Sequence, residues 1–551
     1  MASVGIPFVA ALLDRLAPDQ RAAATAPAGP ILCIAPAGSG KTTTLIARIA
    51  WLVDGGADPA GITAIAFNKR AADELEGRLA ATLRPLGRGR VRVRTFHALG
   101  REILREAGLP VEPLVDRAGL LRRLWPAAPA AGLRRLDTVI SRLKLDLRAT
   151  AADVAGDPEA GPLARAYMTY EAALSETGGL DFDDLVARSL ALVESDLAVQ
   201  AVWRSRCAHL LVDEAQDLDR SQLDLALALA APEDRIFFVG DDDQSIYGWR
   251  LADVRRVLAL AGRLPGLRHV ALTVNYRCPG PVVERAVRLV AHNRERFPKV
   301  VRAAQPTAGR LILAPLQPEP AERARRILGS WPADDAPRAV LARTNRELQP
   351  AAVAALEAGR PFRAPGVRLI VESALVDELL DRLERETPTA TLLVRLGRLR
   401  GIVDDEARRE ETRAPADDDP DEPTASEVAA ALLGWAAGFR TLDELRSAIE
   451  ERRNALAALR HDDAPLSLAT AHGTKGLEFD DVAVIDMDVA AFPSARALAE
   501  ALEPERALEE ERRLAYVAWT RARQSLLLAY DPAAPSPFLL EAFSAEELGL
   551  D

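Results

Sequence analysis

Short unbroken apolar runs recur along the chain, each followed by small or polar residues and then by a helical pattern. The first, Ile31-Leu32-Cys33-Ile34, precedes Ala35-Pro36-Ala37-Gly38-Ser39-Gly40-Lys41-Thr42 and a helix with Leu45, Ile46, Ile49 and Leu52 on one face. Similar runs stand at 62–67, 207–212 and 236–240, and in the second half at 339–342, 466–470, 482–485 and 525–530, while the alternating Val91-Arg92-Val93-Arg94 reads as a further strand. Apolar side chains on both faces predict strands buried on both sides, and their alternation with helices predicts parallel sheets. The expected fold class is α/β.

Two stretches break the alternation. Residues 100–180 are arginine-rich and helical, with Leu120, Leu121, Leu124 and Trp125 at helical spacing. Residues 371–461 are again helical and include an acidic, proline-bearing segment at 404–422, expected to be a flexible loop. The basic excess around Arg117, Arg122, Arg123, Arg134, Arg135, Arg142, Lys144 and Arg148 suits either a solvated helix face or a face for duplex nucleic acid.

Composition sets bounds on these elements. A chain of 551 residues suggests three or four domains. No run approaches the length of a membrane span, no export signal is visible, and Cys33, Cys207 and Cys278 form neither a disulfide framework nor a C-x-x-C pair. A cytoplasmic protein is expected. The net charge of −11 does not exclude a nucleic-acid partner, because cations can cluster locally. Only five of the 70 basic residues are lysine, so a lysine that remains marks a place where arginine would not serve; Lys41 and Lys475 are candidates.

The chemistry begins at the turn after the first strand. A glycine-rich turn between strand and helix cradles phosphates on its backbone N–H groups, helped by the helix N-terminus. Lys41 would reach the β- and γ-phosphates, and Thr42 would offer its hydroxyl to Mg²⁺. Asp213 and Glu214, at the end of a buried strand, suit a metal ligand and a general base. Gln244 can sense a γ-phosphate. Tyr247 and Trp249, close behind it, can present rings to bases, as can Phe67 and His97. Tyr276 can stack on a base and Arg277 can reach a phosphate. Gln20 is read either as a contact to a base edge or as a solvent-facing residue.

Taken in order, A-P-A-G-S-G-K-T, T-F-H (95–97), D-F-D-D-L (181–185), D-E-A-Q-D (213–217), G-D-D-D-Q-S-I-Y-G-W-R (240–250), N-Y-R (275–277), H-G-T-K-G-L-E-F (472–479) and E-E-R-R-L-A-Y-V-A-W-T-R-A (510–522) resemble the UvrD/Rep-type superfamily 1 DNA helicases. The resemblance implies two RecA-like P-loop domains with parallel sheets, each carrying a mainly helical insertion. The first domain would be 1–99 with 181–271 and its insertion 100–180. The second would be 272–370 with 462–551 and a shortened insertion 371–461. It implies ATP and Mg²⁺ as cofactors, with Thr42 and Asp213 at the metal. Gln20, Ala35 to Thr43, Tyr276, Gly476 and Glu478 would bind nucleotide. Lys41, Thr42, Asp213, Glu214 and Gln244 would form the hydrolytic site, and Arg277 and Arg521 would arrive from the second domain as arginine fingers. Phe67, Thr95, His97, Tyr247, Trp249, Arg250 and His472 would line a single-strand track. Position 43, often an arginine that stacks on adenine in such proteins, is a threonine here. The implied activity is ATP-driven 3′-to-5′ movement on single-stranded DNA with unwinding of tailed duplexes. A translocase that strips proteins, and an ATPase switch without movement, are the alternatives. The resemblance names no protein partner and involves no membrane.

Overall fold

The computed structural model describes residues 7–84, 89–307, 309–315, 319–385, 390–411 and 423–550. Its contacts divide the chain into two units, residues 1–128 with 132–306, and 129–131 with 307–551.

The first unit is built on β1 (Ile31–Ile34), β2 (Ile62–Ile65), β3 (Arg92–Arg94), β4 (His209–Val212), β5 (Ile236–Gly240) and β6 (Arg268–Ala271). The sheet runs β3-β2-β4-β5-β1-β6 and every pairing is parallel. Alternate residues of β1 feed opposite faces. Ile31 and Cys33 join a core with Leu45 and Ile49 of the helix Lys41–Asp54, while Leu32 and Ile34 join one with Phe238 and Leu190. Burying each such side chain is worth about 1.5–3 kcal/mol, against about 1 kcal/mol for a hydrogen bond. The apolar face therefore fixes the helix, and with it the glycine-rich turn.

The stretch 100–180 is helical and has a core of its own around Leu120, Leu136, Ile140, Tyr167, Tyr170 and Leu174. It is tied to the helix Phe182–Ser195 by buried ion pairs. Lys144 meets Glu171, Asp181 and Asp184 at 2.8, 2.9 and 3.0 Å, and Arg117 meets Asp181 and Asp183 at 2.8 and 2.5 Å. The acids of D-F-D-D-L thus fasten the helices. Lys144 and Arg117 belong to this network rather than to a solvated basic face, whereas Arg122, Arg123, Arg134 and Arg135 are exposed. Removing one partner of a buried pair costs about 3–5 kcal/mol. Lys144→Met is expected to lower the stability of the first unit by that amount in a denaturant titration. A loss below about 1 kcal/mol would mean that the network is incidental.

Residues 272–306, expected in the second domain, belong to the first unit. They include the short parallel pair β7 (Val274–Asn275) and β8 (Arg302–Ala303). The second unit holds β9 (Arg310–Pro315), β10 (Arg338–Ala342), β11 (Phe362–Arg363), β12 (Leu466–Thr470), β13 (Phe479–Val484) and β14 (Ala522–Tyr530). These form a parallel sheet ordered β11-β12-β10-β13-β14-β9. Its helical insertion shares one continuous core with the sheet: Val340, Leu468 and Ala483 pack in the same cluster as Leu379, Leu396 and Leu432. Part of the expected acidic loop is ordered, since residues 404–411 complete the helix Leu392–Glu411; residues 412–422 lie outside the described residues. No described helix is long and apolar enough to cross a membrane.

Candidate functional site

The carboxyl ends of the parallel strands lie along one edge of the first sheet, where ligands bind in such folds. In sheet order, β3 delivers Thr95 and His97, β2 Phe67, β4 Asp213 and Glu214, β5 Asp241 to Gln244, β1 the glycine-rich turn, and β6 the segment to Tyr276 and Arg277.

The turn is shaped as a cradle. Gly38 and Gly40 have φ of 67° and 82°, which bend the backbone as other residues rarely can. Ala35 N donates to Gly240 O at 2.8 Å and Ser39 N to Pro36 O at 3.1 Å; Ala37 is buried beside them. Lys41 Nζ, from the first turn of the helix, reaches back to Ala35 O at 3.2 Å. Ser39 Oγ is buried without a hydrogen-bond partner, a gap that a phosphate oxygen would fill. The oxygen donors Thr42 and Asp213 suit Mg²⁺. The residues therefore fit a nucleotide triphosphate with its metal.

Gln20 is buried, not solvent-facing. Its amide nitrogen donates to Ser39 O at 2.9 Å and its oxygen accepts from Ala17 N at 3.1 Å. A carboxamide carries a second hydrogen and a second lone pair, so these bonds leave capacity for a base edge. Thr43 is exposed, yet Arg78 Nη2 donates to its hydroxyl at 3.3 Å, so a guanidinium stands at this position after all.

Tyr276 and Arg277 do not come from the second unit. Tyr276 N donates to Gly38 O at 2.9 Å, and a Cβ on Gly38 would stand 2.7 Å from Arg277 Cβ. Asn275 Oδ1 makes this turn by accepting from Arg277 N and Cys278 N at 2.8 and 2.7 Å. Asp19 ties the same segment to the helix of Gln20, accepting from Thr273 N and Oγ1 at 2.8 and 3.0 Å. Half of Tyr276 is exposed, as a stacking ring requires.

Glu214 has a φ of 51°, unusual for a side chain with a Cβ. Gln216 holds its carboxylate: Gln216 Nε2 donates to Glu214 Oε2 at 2.6 Å, while Gln216 Oε1 accepts from Asp241 N at 3.0 Å. Gln244 Nε2 in turn donates to Asp241 Oδ2 at 2.6 Å. The sequence reading missed Gln216 and Asp241, although both stand inside the motifs it singled out.

At the other end of the edge the aromatic residues assemble. Phe67 stacks on Tyr247 with ring centroids 5.1 Å apart and planes 11° from parallel, and Tyr247 meets Trp249 edge-on at 6.2 Å. Arg250 lies 4.5 Å over Trp249, which is 58% exposed. Thr95 is spent as a helix cap, accepting from Ala98 N at 3.2 Å. These rings border a cavity of about 740 Å³ whose further lining includes His97, Asp183, Asp217 and Asp219. Burial lowers the pKa of His97 and pushes the carboxyl of Asp219 up to about 7. Arg117 and Arg250 line the cavity as well, so it offers rings on which bases can stack beside charges of both signs.

In the second unit, His472 follows the carboxyl end of β12, whereas Gly476, Glu478 and Arg521 precede β13 and β14. Burial, with Arg343 and Lys475 nearby, drops the His472 pKa to about 3, so the ring is neutral at pH 7. Gly476 has a φ of 83°, and Glu478 lies 3.5 Å from Arg523. Arg521 is fully buried, donating to Val517 O at 2.8 Å and Leu477 O at 3.1 Å.

A family model described as the UvrD/REP helicase N-terminal domain matches residues 16–265, and one described as the UvrD-like helicase C-terminal domain matches residues 392–532. ATP-dependent DNA helicase UvrD2 of Mycobacterium bovis is 32% identical, over 95% of this chain and 79% of its own length. DNA helicase II of Escherichia coli is 28% identical, over 95% of this chain and 85% of its own length. ATP-dependent DNA helicase Rep of E. coli is 35% identical over 52% of this chain and 44% of its own length.

Proposed function

This chain belongs to the UvrD-like helicase family and is an ATP-hydrolysing enzyme, and we propose that it is a DNA helicase that moves 3′ to 5′ along a single strand and opens tailed duplexes, in repair or recombination. One observation carries the reading. Gln244, bonded to Asp241 beside the phosphate cradle, lies three residues from Tyr247, which is stacked on Phe67. One short loop therefore joins the phosphate cradle to the aromatic shelf, a path by which a change at one end would reach the other.

In this reading Lys41 and the N–H groups of the cradle bind the phosphates, and Gln20, Tyr276, Gly476 and Glu478 serve the nucleoside. Thr42 and Asp213 would hold Mg²⁺, which would neutralise charge on the phosphates when bound. Glu214, held by Gln216, accepts the proton of the attacking water. Arg277, already packed on Gly38, and Arg521 of the second unit stabilise the charge that develops on the γ-phosphate. A contact of Arg521 with the γ-phosphate that is present before hydrolysis and lost after it would drive the movement. Phe67, His97, Tyr247 and Trp249 carry the bases, with neutral His472 contacting the strand from the second unit.

Trp249→Ala is expected to weaken single-strand affinity by about 1–3 kcal/mol, the worth of one stacked base, in a fluorescence titration with an oligonucleotide. Unchanged affinity would remove Trp249 from the track. The shortness of the second insertion, residues 371–461, favours one further reading, a translocase that strips proteins and unwinds little. Strand displacement and protein displacement on duplexes with 3′ or 5′ tails separate the readings. Displacement from 3′-tailed duplexes alone supports the helicase. Protein removal without strand separation supports the translocase, and unwinding from 5′ tails alone overturns the polarity.

A further inference from the structure

Three consecutive carboxylates, Asp241, Asp242 and Asp243, are buried at the end of β5. Left alone they would repel one another strongly in so dry a place. Two cations and a backbone amide from the segment after the helix Gly280–Val290 meet them. Lys299 Nζ, whose side chain is fully buried, lies 2.7 Å from Asp241, 2.6 Å from Asp242 and 2.9 Å from Asp243. Arg296 forks onto Asp243 at 2.9 and 2.8 Å, and Phe297 N donates to Asp242 at 2.8 Å.

The three acids are not equivalent. Asp242 and Asp243 bond to the clamp. Asp241 bonds outward as well: Oδ1 takes Lys299, Oδ2 takes Gln244 Nε2 at 2.6 Å, and its N–H donates to Gln216 Oε1 at 3.0 Å. Gln216 then donates to Glu214 at 2.6 Å. The path from Lys299 to both Gln244 and Glu214 is continuous. Gly240 keeps it close, because a Cβ there would stand 2.4 Å from Gln216 Oε1.

We propose that Lys299 is a positioning residue for ATP hydrolysis: it fixes Asp241, and Asp241 orients Gln244 directly and Glu214 through Gln216. The proposal rests on the hydrolytic roles given above to Gln244 and Glu214. In a chain with five lysines among 70 basic residues, lysine is retained here for a physical reason. A compact ammonium points three hydrogens at three oxygens converging on one point, whereas a planar guanidinium spreads its donors in a fork. Burial would raise the Asp241 carboxyl, but Lys299 and Lys41 outweigh it and hold the group down at about 2. An ionised Asp241 can only accept, which fixes the Gln244 amide nitrogen toward it and the oxygen away from it.

The test compares Lys299→Met with Arg296→Met, which removes the cation of the clamp that does not touch Asp241. ATPase rates with saturating single-stranded DNA, ATP affinity and thermal melting are measured for each. Lys299→Met is expected to lower kcat roughly 10- to 100-fold, as loss of a partner behind a reacting group does, while ATP affinity stays within about threefold. Arg296→Met is expected to melt earlier yet keep kcat within about threefold of wild type. A folded Lys299→Met with unchanged kcat, or an equal fall in both variants, overturns the proposal in favour of a plain anchor. Should Lys299→Met not fold, Asp241→Asn keeps the shape and removes the fixed acceptor; the same fall is expected, and normal kcat overturns the proposal. A wild-type protein without DNA-stimulated ATPase activity would instead overturn the functional reading, so the two failures are distinguishable.

Discussion

Lys41→Ala is expected to bring ATP turnover down by at least about 10²- to 10³-fold, the loss that follows removal of one preorganised donor to transition-state charge. The argument is geometric. The ammonium leaves the first turn of the helix and curls over the cradle toward Ala35 O at 3.2 Å, the path a phosphate chain on the N–H groups would follow. The fold should survive, because the helix is held by Leu45, Ile46, Ile49 and Leu52 on its buried face. Losing the bond to Ala35 costs only about 1 kcal/mol. The variant would thus melt near wild type and fail to hydrolyse. An unchanged rate would refute the role.

Arg521→Ala is expected to reduce kcat by about 10³- to 10⁵-fold with ATP affinity retained, the range for an arginine finger. The buried guanidinium is held by the Val517 and Leu477 carbonyls, so truncation also removes two hydrogen bonds worth about 1 kcal/mol each, although Val517 O still accepts from Thr520 Oγ1 at 3.2 Å. The rate is therefore read well below the melting temperature, alongside Arg521→Lys, which keeps the charge but not the fork. Both variants should lose turnover. Full activity in Arg521→Lys would show that charge alone suffices, and full activity in Arg521→Ala would remove the finger.

The central strands of both sheets were legible because they are buried on both faces and read as unbroken apolar runs. β6 was not, since it lies at a sheet edge and exposes most of its length, and Arg268 and His269 give no apolar run to find; β9 was passed over although Leu311-Ile312-Leu313-Ala314 is such a run. The boundary between the units was misplaced for a related reason. The pattern after β6 looks like a fresh start at Leu272, but Asn275, Asp19 and the clamp at Lys299 bind that segment to the first unit through polar contacts that hydrophobic periodicity does not report.

The site divides in the same way. The cradle, Glu214, Gln244 and the Phe67–Tyr247–Trp249 shelf stand where strand ends put them, and their spacing in sequence pointed there. Gln216 and Asp241 were hidden in plain sight, because a motif names its residues without saying which bond to which. Lysine scarcity was the one clue to Lys299. It drew attention to Lys41 and Lys475, whereas Lys144 and Lys299 proved to be the buried lysines, each meeting three carboxylates.

The most direct test of coupling between the nucleotide site and the base shelf is the steady-state ATPase rate of the wild-type protein, titrated with a single-stranded oligonucleotide. The loop from Gln244 to Trp249 predicts a saturable rise of at least about tenfold, equivalent to about 1.4 kcal/mol off the barrier. A rate that stays flat while the oligonucleotide binds would contradict it.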